Sequence, residues 1–200
     1  MFKRVTLLAL VSLLILSLAG CGGEPAPQPE QKAAAAPAKK EEPPPTVYEL
    51  TKESLTDKPD WTSRNVGILG TKIGDVTTKI EKNFGKMDNT RTLADDYLTI
   101  YQDNGLFVYT QKLTGRIRRY EVYDTFAKQL VDEKLKKLLT TGDLKYMREA
   151  FGQEERTDEN SADQSTEYAY DAKGFRFVKY KVGNRTLNAL RFSEMKRSAT

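Results

Sequence analysis

Hydrophobicity divides the chain into three stretches. Val5 to Ala19 is an apolar run of fifteen residues, interrupted only by Thr6, Ser12 and Ser17 and preceded by Lys3 and Arg4. Residues 22–46 hold seven of the eight prolines and the alanines Ala33 to Ala36, with no aromatic or branched aliphatic side chain. From Val47 onward, aromatic and branched residues recur with the periods of helices and strands, which marks this stretch as the folded part.

Within it, Val76, Ile80 and Phe84 fall at i, i+4 and i+8, and Leu144, Met147 and Phe151 at i, i+3 and i+7. Each set predicts a short helix with one buried face. Asp75 and Asp143 sit in the first turns, where a negative charge complements the helix dipole, and Gly85 and Gly152 suit the left-handed position that closes a helix. A further amphipathic helix is predicted over 125–139 from Phe126, Leu130, Val131, Leu135 and Leu138. The stretch 57–71, with Pro59, Gly67 and Gly70, predicts a short or missing helix. Strands are predicted at about 97–102, 106–112, 116–123, 166–171, 175–182 and 185–192, with turns at Gly105, Gly115, Gly174 and Gly183. Residues 86–96 and 153–165 read as polar loops.

These elements recur in order. Gly74-Asp75-Val76 with Phe84-Gly85 returns as Gly142-Asp143-Leu144 with Phe151-Gly152, and Tyr101 with Gly105 returns as Tyr170 with Gly174. Ile117, Tyr120 and Val122 return as Leu187, Leu190 and Phe192, and the offset stays between 67 and 70 throughout. The expected fold is α+β: two tandem helix–antiparallel-meander repeats forming one sheet with helices on one face. The expected segments are 1–20, 21–46, a first repeat at 47–124 and a second at 125–200.

Composition then narrows the chemistry. Histidine is absent and the single cysteine is Cys21, which excludes Ser-His-Asp and Cys-His nucleophile systems, haem histidine ligation and an internal disulfide. Carboxylate, lysine or tyrosine catalysis, an oxygen-ligand metal site, or binding remain. A net charge of +4 from thirty-two basic and twenty-eight acidic residues is too balanced to imply nucleic acid.

The first stretch reads as an address. It is short of the roughly 20 apolar residues that span a bilayer, and it fits the hydrophobic region of a secretory signal. It ends in Leu18-Ala19-Gly20-Cys21, which resembles a bacterial lipobox. The resemblance implies cleavage before Cys21 and acylation of its thiol. Two or more acyl chains, at about 0.8 kcal/mol per buried methylene, hold a protein on a membrane. The expected location is therefore extracytoplasmic, lipid-anchored to the cell membrane or outer membrane. The proline-rich segment is predicted to act as a tether, averaging roughly 25–30 Å as a coil and reaching about 78 Å fully extended.

In the folded part, Ile73-Gly74-Asp75-Val76 with Phe84-Gly85, and Thr141-Gly142-Asp143-Leu144 with Phe151-Gly152, each precede tyrosine-bearing strands. The pattern resembles the BamE/SmpA-like outer-membrane lipoproteins, and in tandem it resembles the β-lactamase inhibitor protein fold. The resemblance implies a non-enzymatic protein-binding module, either an assembly accessory or an inhibitor.

Tyrosine and arginine are enriched in the predicted strands, and both favour binding hot spots. The expected binding residues are Tyr101, Tyr109, Arg116, Arg118, Arg119, Tyr120, Tyr170, Lys179, Tyr180 and Arg191. Strand pattern alone leaves open which face is buried, so part of this set can equally be core. The acidic run Glu154, Glu155, Asp158, Glu159 and Asp163 reads as a solvated loop rather than a calcium site. No catalytic residue, metal or cofactor is expected. The partners expected are the membrane, through Cys21, and an envelope protein, with nucleic acid excluded by export. The alternatives are a glycan-active envelope enzyme using paired carboxylates, for example among Asp95, Asp96 and Glu121, or a ligand or ion sensor.

Overall fold

The computed structural model describes residues 46–76 and 78–195. The predicted leader, the acylation site Cys21 and the body of the proline-rich segment lie outside the described residues. A small sheet joins β1 (Tyr48–Glu49), β2 (Val66–Ile68) and β3 (Thr71–Lys72). Helix α1 (Thr78–Phe84) then leads into β4 (Asn89–Thr92), β5 (Asp96–Tyr101), β6 (Leu106–Gln111) and β7 (Ile117–Tyr123). Helices α2 (Glu133–Thr141) and α3 (Lys145–Phe151) precede β8 (Arg156–Asn160), β9 (Ser165–Tyr170), β10 (Phe175–Val182) and β11 (Arg185–Ser193). These eight strands form one antiparallel sheet in the order β4-β5-β6-β7-β11-β10-β9-β8. Two meanders therefore meet edge to edge through β7 and β11, with Val122 opposite Leu190 and Tyr120 opposite Phe192. The fold is a mixed α+β one built on a large antiparallel sheet.

Strand alternation sends Tyr101, Leu106, Val108, Tyr120, Val122, Phe175, Phe177, Leu190 and Phe192 to one face, where they pack against Ile80, Phe84, Leu135, Leu138, Leu139 and Met147 of the helices. Trp61, from the segment between β1 and β2, completes this core. Its ring meets Phe151, Phe175 and Phe192 edge-on at 5.3–6.2 Å. Aromatic pairs in this geometry add to the area they bury.

Three local features depart from the sequence-based expectations. The polar stretches 86–96 and 153–165 are not loops throughout, because each contains an edge strand, β4 and β8, almost wholly exposed. Pairing to β5 and β9 makes them strands, not apolar alternation. The helix expected over 125–139 is broken: Asp124–Gln129 is a 3-10 helix, Leu130–Asp132 is not helical, and α2 starts at Glu133. Asp132 causes the break. Its Oδ1 accepts from the Lys134 and Leu135 amides at 3.1 Å, capping α2, while Oδ2 accepts from Ser54 Oγ and the Thr56 amide. Val131, predicted on or near the apolar face, is half exposed. Over 57–71, where the sequence predicts a short or missing helix, no α-helix forms and the chain contributes to the small sheet.

Candidate functional site

Among the described residues no helix covers the opposite face of the large sheet. The same alternation sends Leu98, Ile100, Phe107, Tyr109, Arg119, Glu121, Tyr123, Glu167, Arg176, Tyr180 and Arg191 to it. Leu98, Ile100 and Tyr109 form a small apolar cluster there, with Phe107 against it. At the centre, where the two meanders join, Glu121 on β7 lies directly opposite Arg191 on β11.

Glu121 is 1% exposed although no helix covers it. Its own neighbours roof it. Oε1 accepts from Arg191 Nε at 2.7 Å, and Oε2 accepts from the hydroxyls of Tyr123 at 2.8 Å and of Tyr109 and Tyr180 at 3.3 Å. Arg191 donates in addition to Glu167 and, at 2.6 Å, to the Tyr180 hydroxyl. Glu167 receives Arg176 at 2.6 Å, and Asp171 joins Arg176 to Arg156 at 3.1 and 2.7 Å. The network therefore runs across six neighbouring strands, from Tyr109 on β6 through β7, β11, β10 and β9 to Arg156 on β8.

Its electrostatics follow from burial and alternating charge. Burial and the Glu121 carboxylate push the Tyr109 phenol up to about 12, and the same two causes raise Tyr123 and Tyr180. All three are neutral hydroxyl donors at physiological pH. Burial opposes the charge on Arg191 and Glu167, but their partners outweigh it, holding Arg191 above its ordinary value and Glu167 below the usual carboxylate range. A general acid needs the reverse shift, so Glu167 is suited to an ion pair rather than to proton donation.

Two clefts flank this centre. One, of about 470 Å³, is lined by Phe107, Tyr123, Tyr180, Val182 and Leu187, with Gly105 at its floor. Phe107 and Tyr123 meet at 4.7 Å with their rings tilted by 50°, and Tyr123 stacks on Tyr180 at 6.2 Å. The other, of about 770 Å³, is lined by Arg119, Arg156, Arg176, Arg191, Asp171 and Ser193. The Arg119 guanidinium lies flat on the Tyr109 ring at 3.5 Å, with its Nε 3.6 Å from Glu121. That Nε is buried and makes no hydrogen bond.

Of the ten expected binding residues, the structure gathers Tyr109, Arg119, Tyr180 and Arg191 into this one site. Arg118 lies beside it at a β-bulge, paired with Asp96 and Glu194 at 3.4 Å. Tyr101, Tyr120 and Tyr170 belong instead to the helix-covered core: Tyr101 packs on Phe84, Tyr120 shares a hydrogen bond with Thr71, and Tyr170 donates to the Gly152 carbonyl. Lys179 also falls on that side, near the rings of Tyr168 and Phe177. Arg116 sits at the far end of the sheet and donates to the Gly74 carbonyl.

Sequence reasoning left Phe107, Tyr123, Glu167 and Arg176 out of the site and treated Glu121 only as one of several carboxylates. The signal for β7 was present: Tyr120 and Val122 alternate with Arg119, Glu121 and Tyr123. The five acidic residues between Glu154 and Asp163 do not converge. Glu154 pairs with Arg148, Asp158 with Arg156, and Asp163 accepts from Ser165. Among the described residues no group of three acidic, cysteine or histidine side chains is placed to hold a metal ion, and no helix is long and apolar enough to cross a membrane.

No protein-family model matches the chain, and no curated protein matches it. Two solved structures are similar to it. One is a DUF4309 family protein from Bacillus subtilis, 11% identical, with a TM-score of 0.41 over 60% of this chain and 79% of that one. The other is a cysteine-rich secretory protein from Staphylococcus aureus, 10% identical, with a TM-score of 0.35 over 74% of this chain and half of that one. Likeness at this level carries no functional argument.

Proposed function

We propose that this protein is a lipid-anchored lipoprotein of the cell envelope, non-enzymatic, whose helix-free sheet face binds a protein partner as an assembly accessory or an inhibitor. In this reading Cys21 is acylated, residues 22–46 are the tether, and the two meanders are tandem BamE-like repeats. The order of the sheet supports the duplication, since each meander follows a Gly-Asp pair and a short helix and ends beside the other at the centre.

One observation carries the binding reading. Tyr109, Tyr123 and Tyr180 are all fixed by the same carboxylate, beside an open apolar cleft and a stacked guanidinium. Rigid tyrosine and arginine lose little entropy on contact, which is why such groups dominate interface energetics. A face whose aromatic groups served only to cover the sheet would not need the exposed Val182 and Leu187 next to them.

The test has two arms. Mass spectrometry of the mature N-terminus reads the anchor, and an acyl-modified Cys21 is expected. Crosslinking in intact cells reads the partner. Leu187→Asp and Arg119→Glu should each abolish the crosslinked species, while Lys52→Glu, remote from this face, should preserve it. Survival of every crosslinked species in both face variants, with thermal unfolding unchanged, would falsify the binding face.

A further inference from the structure

The end of the sheet opposite the apolar cleft has its own unassigned surface. The β6–β7 turn, Lys112-Leu113-Thr114-Gly115, carries Leu113 at its tip, 92% exposed and the most exposed large apolar side chain among the described residues. Turns are ordinarily polar, and this leucine contributes nothing to the core. It is not isolated. Lys112 Nζ donates to the carbonyls of Leu93 and, at 2.8 Å, Ala94, which brings the β4–β5 turn alongside. Val76 bridges to Arg116 as a third segment, and the Tyr97 ring lies 5.8 Å from Lys112 Nζ. Val76, Leu93 and Tyr97 are 39–43% exposed, so three segments present apolar side chains around one protruding tip.

The charges around the tip are mostly positive. Among the described residues no carboxylate pairs with Lys112, Arg116 or Lys72, whereas Asp75 and Asp96 are taken by Lys79 and Arg118. Lys112 and Arg116 donate to backbone carbonyls only, so their charge stays uncompensated; Asp95 is the opposing acid. An apolar point with an aromatic ring and a collar of cations matches the strata of an anionic bilayer surface: acyl chains, interface and headgroups. An acidic protein groove would complement the same cations and enclose the same tip. The order of leucine tip, tyrosine ring and cation collar is that of the bilayer strata, however, and shielding by an added protein is the outcome that would assign the groove instead.

We propose that the Leu113 tip inserts into the interface of an anionic lipid bilayer, setting the orientation of the domain on the membrane and turning the opposite end of the sheet, with its apolar cleft, away from it. The proposal rests on the lipid-anchor reading for one thing only, the high local concentration that makes a weak contact effective. Twenty-four residues lie between Cys21 and Thr46, and extended at about 3.1 Å each they reach far enough for any side of the domain to touch the surface.

The experiment uses the full chain purified from membranes, carrying Leu113→Cys, labelled with an environment-sensitive thiol dye and reconstituted into vesicles. Acylation blocks the Cys21 thiol, so one dye per chain is expected; two per chain would sink the anchor reading without touching the tip. In vesicles containing phosphatidylglycerol, the dye at position 113 should brighten several-fold and be quenched by brominated lipid. The same dye introduced by Asn184→Cys, at the turn on the opposite end of the sheet, should do neither. Adding Lys112→Glu and Arg116→Glu should lower the bound fraction at least about ten-fold. Leu93→Cys gives an independent reading from the adjoining turn. Water-like emission at both 113 and 93, equal quenching at 184, or shielding that needs an added protein extract would each overturn the proposal.

Discussion

Trp61 and Glu121 are equally buried, each 1% exposed, on opposite sides of the same sheet. Trp61 is enclosed by three phenylalanine rings; Glu121 is enclosed by an arginine and three phenols. The first environment is held by area and shape, which tolerate volume-conserving changes. The second depends on every partner being present, because a carboxylate taken out of water is stabilised only by its cation and donors. A sheet face without helices can thus be dry at its centre yet polar in composition, and such a face is available for contact without being an aggregation surface.

The sharpest way to break this comparison is to remove the shared cation. Arg191→Met should cost about 3–5 kcal/mol, since it strips Glu121 of its hydrogen-bonded cation, leaving only the longer Arg119 pair at 3.6 Å, and leaves Glu167 with Arg176 alone. Trp61→Phe, a change within the apolar side, should cost about half as much. Urea unfolding midpoints read both. The double change Glu121→Leu with Arg191→Met should recover at least half of the loss, because it removes the charge along with its partner. If the double variant were as unstable as the single one, buried charge would not be what distinguishes the two faces.

Among the described residues the helix-covered side buries one charged group, and it offers the next test. Asp132 is 1% exposed and accepts four hydrogen bonds, two from the start of α2 and two from the segment around the 3-10 helix Leu55–Asp57. Asp132→Ala should destabilise by about 2–4 kcal/mol, combining a lost cap with buried donors left unsatisfied. Asp132→Asn, which keeps the oxygen at the cap, should cost less than half of that. Hydrogen exchange should report the damage first in α2 and in residues 54–56.

How far the sequence revealed this arrangement follows from the same contrast. The six inner strands were legible because each alternates apolar and polar residues against a covered face, as in Tyr168, Tyr170, Phe175 and Phe177. Strands β4 and β8, Asn-Thr-Arg-Thr and Arg-Thr-Asp-Glu-Asn, have no buried face, so only the hydrogen bonds of a neighbour define them. Polar edges of this kind also resist unwanted pairing. Asp132 capped a helix inside an unbroken apolar period, and the period alone could not show the interruption. The site was half legible. Arginine and tyrosine pointed to the right strands, but the bulge between Tyr109 and Thr110 and the presence of tyrosine on both faces hid which tyrosines belong to it.

Titration reads the open face at both ends of the pH scale. Tyr109 keeps its proton in the folded state until about 12, whereas an unfolded tyrosine ionises near 10. Its contribution is fully present below pH 10 and is lost as pH rises from there through about 12, on the order of 2 kcal/mol for this one group. Tyr123 and Tyr180 shift in the same direction, and so do Tyr120 and Tyr170 of the core. Tyr109→Phe should therefore flatten the alkaline loss without abolishing it. Glu167 behaves oppositely: its folded value lies below the unfolded one near 4.3, so its contribution is present above that value and disappears as acid drives pH below it. Stability measured from pH 3 to 12 in the wild type and in Tyr109→Phe checks both limbs.

The smallest expected effect is the most specific to the binding face. Tyr123→Phe removes the shortest of the three phenol contacts to Glu121, at 2.8 Å, while keeping the ring packed against Phe107. Tyr109 and Tyr180 still donate to the same oxygen at 3.3 Å, and both can tighten into the vacated position. The loss should therefore be about 1 kcal/mol or less, below that of an ordinary hydrogen bond to a charged group. If the phenols served only to satisfy Glu121, that would be the whole consequence. If they are also held rigid for a partner, loosening one anchor should weaken crosslinking to that partner far more than it lowers the unfolding midpoint. Measuring both quantities on the one variant separates a polar plug from a contact surface.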